Sequence, residues 1–198
     1  MKLDPQATAL IFCLTIGDAE AVASQLEGGV YHADRPIEDR QKVLASFQNG
    51  NPRILVCTSA LNAGLDSGSV SLVIEFGKPR NIIDFSQHSG RSGRSSQLAF
   101  STIFLDPSQW EWAPKPGQTR IGVQEMDDYV KMRCRRIVLG FMDDDENPRT
   151  CLQLATVVLC DVCKKIVLGQ SLPKVSQPVT VGQESLHLSS TRKWKPLH

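Results

Sequence analysis

Ala7-Thr8-Ala9-Leu10-Ile11-Phe12-Cys13-Leu14 is an almost unbroken apolar run closed by the hydroxyl of Thr15. Its length suits a strand, and its lack of alternation means that both faces of that strand are buried. Working outward, Gly17 to Leu26 reads as a short helix with Ala19, Val22, Ala23 and Leu26 on one face. Gly29-Val30-Tyr31 is a brief strand. Pro36 to Phe47 reads as a helix, with proline where its missing N–H costs nothing and Ile37, Leu44 and Phe47 as its buried stripe. Arg53 to Thr58, Ser69 to Phe76 and Leu98 to Leu105 repeat the apolar strand pattern. Asn81 to His88 reads as a helix capped by Asn81, with Ile82, Ile83 and Phe85 turned inward. Short apolar strands separated by helices predict an α/β fold, a parallel sheet with helices on both faces.

In such sheets ligands collect beyond the carboxyl ends of the strands. The polar residues placed there are Thr15, then His32 and Arg35, then the segment from Thr58 to Asp66. A fourth polar segment, Gln87-His88-Ser89-Gly90-Arg91-Ser92-Gly93-Arg94, follows the helix after the fourth strand. All four are expected to meet on one rim. Each arginine is a permanently charged planar fork of donors suited to phosphate oxygens, and the glycines keep the backbone bare. The spacing alone leaves open a solvated basic loop.

The 198 residues are 41% hydrophobic, enough for a core, and carry a net charge of +1. That balance excludes a global positive field, so a nucleic-acid site must be a local patch. No apolar run approaches the ~18–20 residues needed to span a bilayer. The N-terminus lacks the apolar core of a signal peptide. The expectation is a soluble intracellular protein without membrane contact, nuclear in a eukaryote and cytoplasmic otherwise.

Of six cysteines, Cys13 and Cys57 sit inside apolar runs and read as buried thiols. Cys134, Cys151, Cys160 and Cys163 cluster in the last third, which favours metal over disulfides in a chain without a secretory signal. Gln124 to Phe141 has helical spacing, marked by Met126, Val130, Ile137 and Phe141. The acidic run from Asp143 to Glu146 reads as a solvated turn.

Several of these segments resemble RecQ-family DNA helicases of superfamily 2. They are Ala9 to Thr15, Tyr31-His32-Ala33-Asp34-Arg35-Pro36 to Gly50, Ile54 to Asp66, and Gln87 to Arg94. They follow the order of helicase motifs IV, V and VI. The resemblance implies a RecA-like second motor lobe over residues 1–108. A linker and a helical zinc-binding subdomain are expected over 109–165, and a flexible tail over 166–198. It implies that Arg94 and Arg91, with Gln87, act on ATP bound with Mg²⁺ against a first lobe. Gly64 and Asp66 would meet the nucleotide, and Thr15, Thr58, Arg35 and His32 the backbone of single-stranded or partly duplex DNA. It further implies zinc held by Cys134, Cys151, Cys160 and Cys163, although Leu152 to Leu159 looks like an insertion in that pattern. Arg133, Arg135 and Arg136 are a candidate phosphate-binding patch.

There are departures. Ser95-Ser96 replace the family's Asp-Gly, and Asp34 stands at a glycine position. The sequence contains no Gly-x-x-x-x-Gly-Lys-Ser/Thr loop and no Asp-Glu-x-His box. The expected function is therefore the C-terminal motor lobe of a 3′–5′ DNA helicase, inactive without an N-terminal helicase lobe supplied in cis or in trans. The alternatives are a non-catalytic nucleic-acid or protein-binding module from a truncated helicase, and an RNA helicase lobe.

Overall fold

The computed structural model describes residues 7–62, 70–93, 99–105, 121–131, 134–142, 146–154, 157–170 and 179–181. Five parallel strands form the sheet: β1 (Thr8–Cys13), β2 (Gly29–Tyr31), β3 (Ile54–Cys57), β4 (Val70–Phe76) and β5 (Phe100–Leu105). A sixth, β6 (Val179–Val181), pairs antiparallel with β5, giving the order β2-β3-β1-β4-β5-β6. The expected parallel sheet is present, RecA-like in its arrangement. β6 and the last helix carry ordered structure into the segment expected to be a flexible tail.

The two faces of the sheet follow from strand alternation. On one face Ile11, Cys13 and Val56 pack with Ala19 and Ala23 of α1 (Ile16–Gln25). On the other, Leu10, Phe12, Leu55, Cys57 and Val73 pack with Phe47 of α2 (Ile37–Gln48). Farther along that second face, Ile103 and Leu105 meet Ile82 and Phe85 of α3 (Ile82–Ser89). Met126, Tyr129 and Val130 of α4 (Val123–Lys131) and Val138 of α5 (Arg135–Met142) belong to the same cluster. α4 and α5 therefore share a core with the sheet. The helical spacing from Gln124 to Phe141 corresponds to two helices, with Cys134 outside both.

Three expected core positions are corrected. Ile37 is 56% exposed, because the first turn of α2 runs beside a three-residue edge strand that offers it no surface. Ile83 is 36% exposed, because α3 turns the 82/85/89 face inward and Ile83 lies about 100° round from Ile82. Leu26, expected on the buried face of α1, is 45% exposed just past the helix end. The acidic residues 143–145 lie outside the described residues.

Candidate nucleotide and nucleic-acid interface

Thr15 lies two residues past β1 and Thr58 directly follows β3, both at the carboxyl edge. Thr15 is exposed and caps α1: its Oγ accepts from the Asp18 amide at 3.1 Å and donates to Asp18 Oδ2 at 2.6 Å. Thr58 is half-buried, and its amide donates to the Tyr31 carbonyl at 3.2 Å. Arg35 is half-buried, with Nη1 3.4 Å from the Val30 carbonyl. His32 is 4% exposed, with Nε2 3.5 Å from Glu20 Oε1. The structure therefore withdraws the His32 ring from direct contact with an outside ligand.

The described part of the arginine-bearing segment, Gln87 to Gly93, starts beside this rim, because α3 touches the 3₁₀ turn Ser59–Asn62 that follows Thr58. α3 spans only eight residues, about 12 Å, and lies across the strands: Ile82 and Phe85 share a core with Ile103, and His88 reaches Glu75 and Phe12, the residues in register with Ile103 on β4 and β1. Its end is thus carried across the sheet face. His88 lies over Phe12, their rings 3.7 Å apart and 5° from parallel. The Gly93 amide then reaches the carbonyl of Val70, the first residue of β4, at 3.2 Å. Among the described residues, the helix that leads into the motif therefore neighbours the strand-end segment after Thr58, and the chain from His88 to Gly93 crosses one face of the sheet.

Close tethers hold that crossing. Glu75 and His88 are 4% and 5% exposed, and Glu75 Oε1 lies 2.6 Å from His88 Nδ1. Burial pushes the Glu75 carboxyl above its usual range, opposed by the His88 bond and reinforced by Asp84. Ser89 Oγ lies 2.7 Å from Ser101 Oγ, and Ser92 Oγ donates to the Ser89 carbonyl at 2.9 Å. The Arg91 amide donates to the His88 carbonyl at 3.0 Å. Gly93 has φ 73°, a conformation that favours glycine. Gln87 is exposed on α3, and Arg91, half-buried, sits near enough to Cys57 for its charge to favour the thiolate there. Burial nevertheless pushes the Cys57 thiol well up and that of Cys13 to about 12. Gly64, Asp66 and Arg94 lie outside the described residues.

The Glu75–His88 pair was not identified in the sequence. Glu75 reads there as one polar residue in an apolar strand, and the only available signal was an acid and a histidine on adjacent elements.

The second cluster is built by α5, a 3₁₀ turn (Cys151–Gln153) and α6 (Asp161–Val167). Cys134, Cys151, Cys160 and Cys163 are all buried, with their four sulfurs within 4.8 Å of one another. A tetrahedral Zn²⁺ with bonds of about 2.3 Å places its sulfurs about 3.8 Å apart, so a small closing movement suits this set. Cys134 and Cys151 are already 3.6 Å apart. A bond from Cys160 and the backbone amides of Cys151 and Ile137 pull the Cys134 thiol down to about 4. A thiolate there is what a cation would require. Cys151 opens the 3₁₀ turn and Cys160 caps α6, and both lie in the cluster despite the eight residues between them.

Arg135, expected in a phosphate-binding patch, is 2% exposed instead. Its Nε and Nη2 donate to the two carboxylate oxygens of Asp161 at 3.0 and 2.9 Å. Its guanidinium lies 5.0 Å from the Tyr129 ring centroid, and Tyr129 meets Phe85 of α3 at 4.8 Å. The cysteine cluster is thereby packed through to the helix that precedes Arg91. Arg133 lies outside the described residues.

Residues 2–96 match the helicase conserved C-terminal domain. With the fold, this defines the stretch as the C-terminal, RecA-like lobe of a superfamily 2 helicase. RecQ-type DNA helicases are among the proteins it is similar to. The chain is 27% identical to the ATP-dependent DNA helicase RecQ of Pasteurella multocida over 172 residues, 79% of this chain and 26% of that protein. It is 28% identical to a putative ATP-dependent DNA helicase Q1 of Caenorhabditis elegans over 169 residues, 79% and 26% respectively. RNA helicases are also similar: a putative ATP-dependent RNA helicase of Acanthamoeba polyphaga mimivirus is 28% identical over 175 residues, 80% of this chain and 31% of that protein. The chain thus spans about a quarter to a third of the length of these relatives. Among solved structures, the Mss116p DEAD-box helicase domain 2 bound to an RNA duplex shares the fold. Its TM-score is 0.50 at 22% identity, covering 62% of this chain and 47% of that one.

Proposed function

We propose that this chain is the second motor lobe of a RecQ-like ATP-dependent 3′–5′ DNA helicase, supplying arginine to ATP held with Mg²⁺ by a phosphate-binding lobe. The observation that carries this reading is the Gln87–Gly93 segment, pinned across the sheet face within a helicase C-terminal domain. Arg94 is the arginine finger, Arg91 shares the phosphates, and Gln87 couples to them. Gly64 and Asp66 meet the nucleotide. Thr15, Thr58 and Arg35 contact the DNA backbone. The sequence has no phosphate-binding loop, so ATP is gripped by another lobe, in cis or in trans. The four cysteines hold zinc, which organises α5 and α6 and takes no part in the chemistry.

The test is ATP hydrolysis by the chain alone and after addition of a RecQ phosphate-binding lobe. Hydrolysis is expected only in the mixture, and Arg94→Ala should lower its kcat roughly 10³-fold or more. Steady hydrolysis by the chain alone, or an Arg94→Ala mixture as fast as the original, overturns the reading.

The RNA helicase relatives favour a second reading, an RNA-directed lobe. Competition between single-stranded DNA and RNA of one sequence decides between them. Nucleic-acid binding without any stimulated hydrolysis would favour the non-catalytic module.

A further inference from the structure

We infer that Glu75 and His88 are positioning residues for the arginine segment, a buried couple that fixes where the backbone of Arg91 lies on the sheet. The inference rests on the proposed role of that segment but concerns its placement.

His88 lies in the last turn of α3, and three strands grip this stretch. β1 supplies the Phe12 ring stacked at 3.7 Å, β4 supplies Glu75 at 2.6 Å, and β5 supplies Ser101 to the next residue, Ser89, at 2.7 Å. The His88 carbonyl then receives the Arg91 amide at 3.0 Å. A shift of the His88 backbone is therefore passed directly to Arg91. Phe12 and Glu75 are register partners on adjacent strands, so ring and carboxylate are held by one rigid platform. A hydrophobic couple would fill the same space without a polar cost. What it would lack is direction: a hydrogen bond of 2.6 Å fixes the imidazole in rotation and height, whereas packing alone leaves alternatives. An arginine aimed at a transferring phosphoryl group needs that precision, because small misplacements are expensive in rate.

The test is amide hydrogen exchange on the full chain, with no nucleotide present. In the Glu75→Leu/His88→Leu variant both polar groups go together, so the fold is retained. The amides of Arg91 and Gly93 are expected to exchange at least tenfold faster, while those of Leu10 and Val56 keep their rates. The exchanged couple, Glu75→His/His88→Glu, should bring Arg91 and Gly93 back to within about threefold of the original, as a bond restored in reverse. Unchanged exchange at Arg91 and Gly93 in the leucine variant overturns the inference. So does an equal rise at Leu10 and Val56, which would make the couple a general stabiliser. Failure of the arginine reading would appear separately, as hydrolysis indifferent to Arg94→Ala while these exchange rates still follow the couple.

Discussion

At the residue scale, burial sets what each side chain can do, and the sequence shows burial only where a periodic pattern runs on unbroken. Cys13 and Cys57 were legible as core thiols because they sit inside apolar runs, and both are buried. Their chemistry follows. The Cys13 thiol is pushed from an ordinary value of 9.0 to about 12, first by burial and then by the charges of Asp18 and Glu75. Below pH 9 the thiol is protonated in the folded and unfolded chain alike and contributes no pH dependence. Between pH 9 and about 12 only the unfolded chain ionises, so stability falls as pH rises through that window. Urea midpoints at about pH 8 and about pH 10.5 should show this drop, and Cys13→Ala should make it smaller. Gly93 gives a second prediction. Its φ of 73° is a conformation that an L side chain enters at a cost of about 1–2 kcal/mol, so Gly93→Ala should lower stability by that amount in a denaturant titration. Glu75 and Arg135 were not legible: a lone acid in a strand and an arginine in a basic triplet both read as surface until their partners, 13 and 26 residues away, are known.

At the element scale, helix faces were legible only in part. Periodicity gives the angular width of an apolar stripe but not the length of sheet beneath it, which is why Ile37 was misplaced at the start of α2. The cysteine cluster shows the reverse. Spacing made Cys151 look displaced by an insertion, yet its sulfur lies with the other three. Closure there depends on α5 and α6 being held together, and the Arg135–Asp161 fork does this. Arg135→Ala leaves the Asp161 carboxylate without its partner at a largely buried site and should cost about 3–5 kcal/mol. Lys164→Ala, on the exposed side of α6, should stay within about 0.5 kcal/mol. Arg135→Met with Asp161→Leu should cost less than Arg135→Ala alone, since no charge is stranded. Thermal unfolding of the metal-loaded protein compares all three. Direct zinc analysis should find about one ion per chain, and close to none in Cys134→Ser or Cys151→Ser. Retention of the metal by Cys151→Ser would remove that residue from the ligand set.

At the scale of the whole molecule, the order of strands and helices was legible because a buried parallel sheet prints itself as apolar runs. The path of the arginine segment was not, because it depends on how short α3 is and on contacts across three strands. The same distinction governs nucleic-acid binding. With a net charge of +1, the chain has no general field to hold a polyanion, so affinity must come from a few local contacts. Those contacts should separate by kind. In the proposed function Arg35 would displace a counterion from the DNA backbone, whereas Thr58 would offer only a hydroxyl. The logarithmic salt slope for a single strand should therefore fall in magnitude by about 0.7 in Arg35→Ala. Thr58→Ala should weaken binding by about 0.5–1.5 kcal/mol at every salt concentration and leave the slope unchanged. Fluorescence anisotropy of a labelled single-stranded DNA across a salt series measures both. An Arg35→Ala slope equal to the original would place the phosphate contacts elsewhere on the chain. A slope change in Thr58→Ala would mean that the substitution had moved a charged neighbour, and would count against the proposed strand contact at the carboxyl rim.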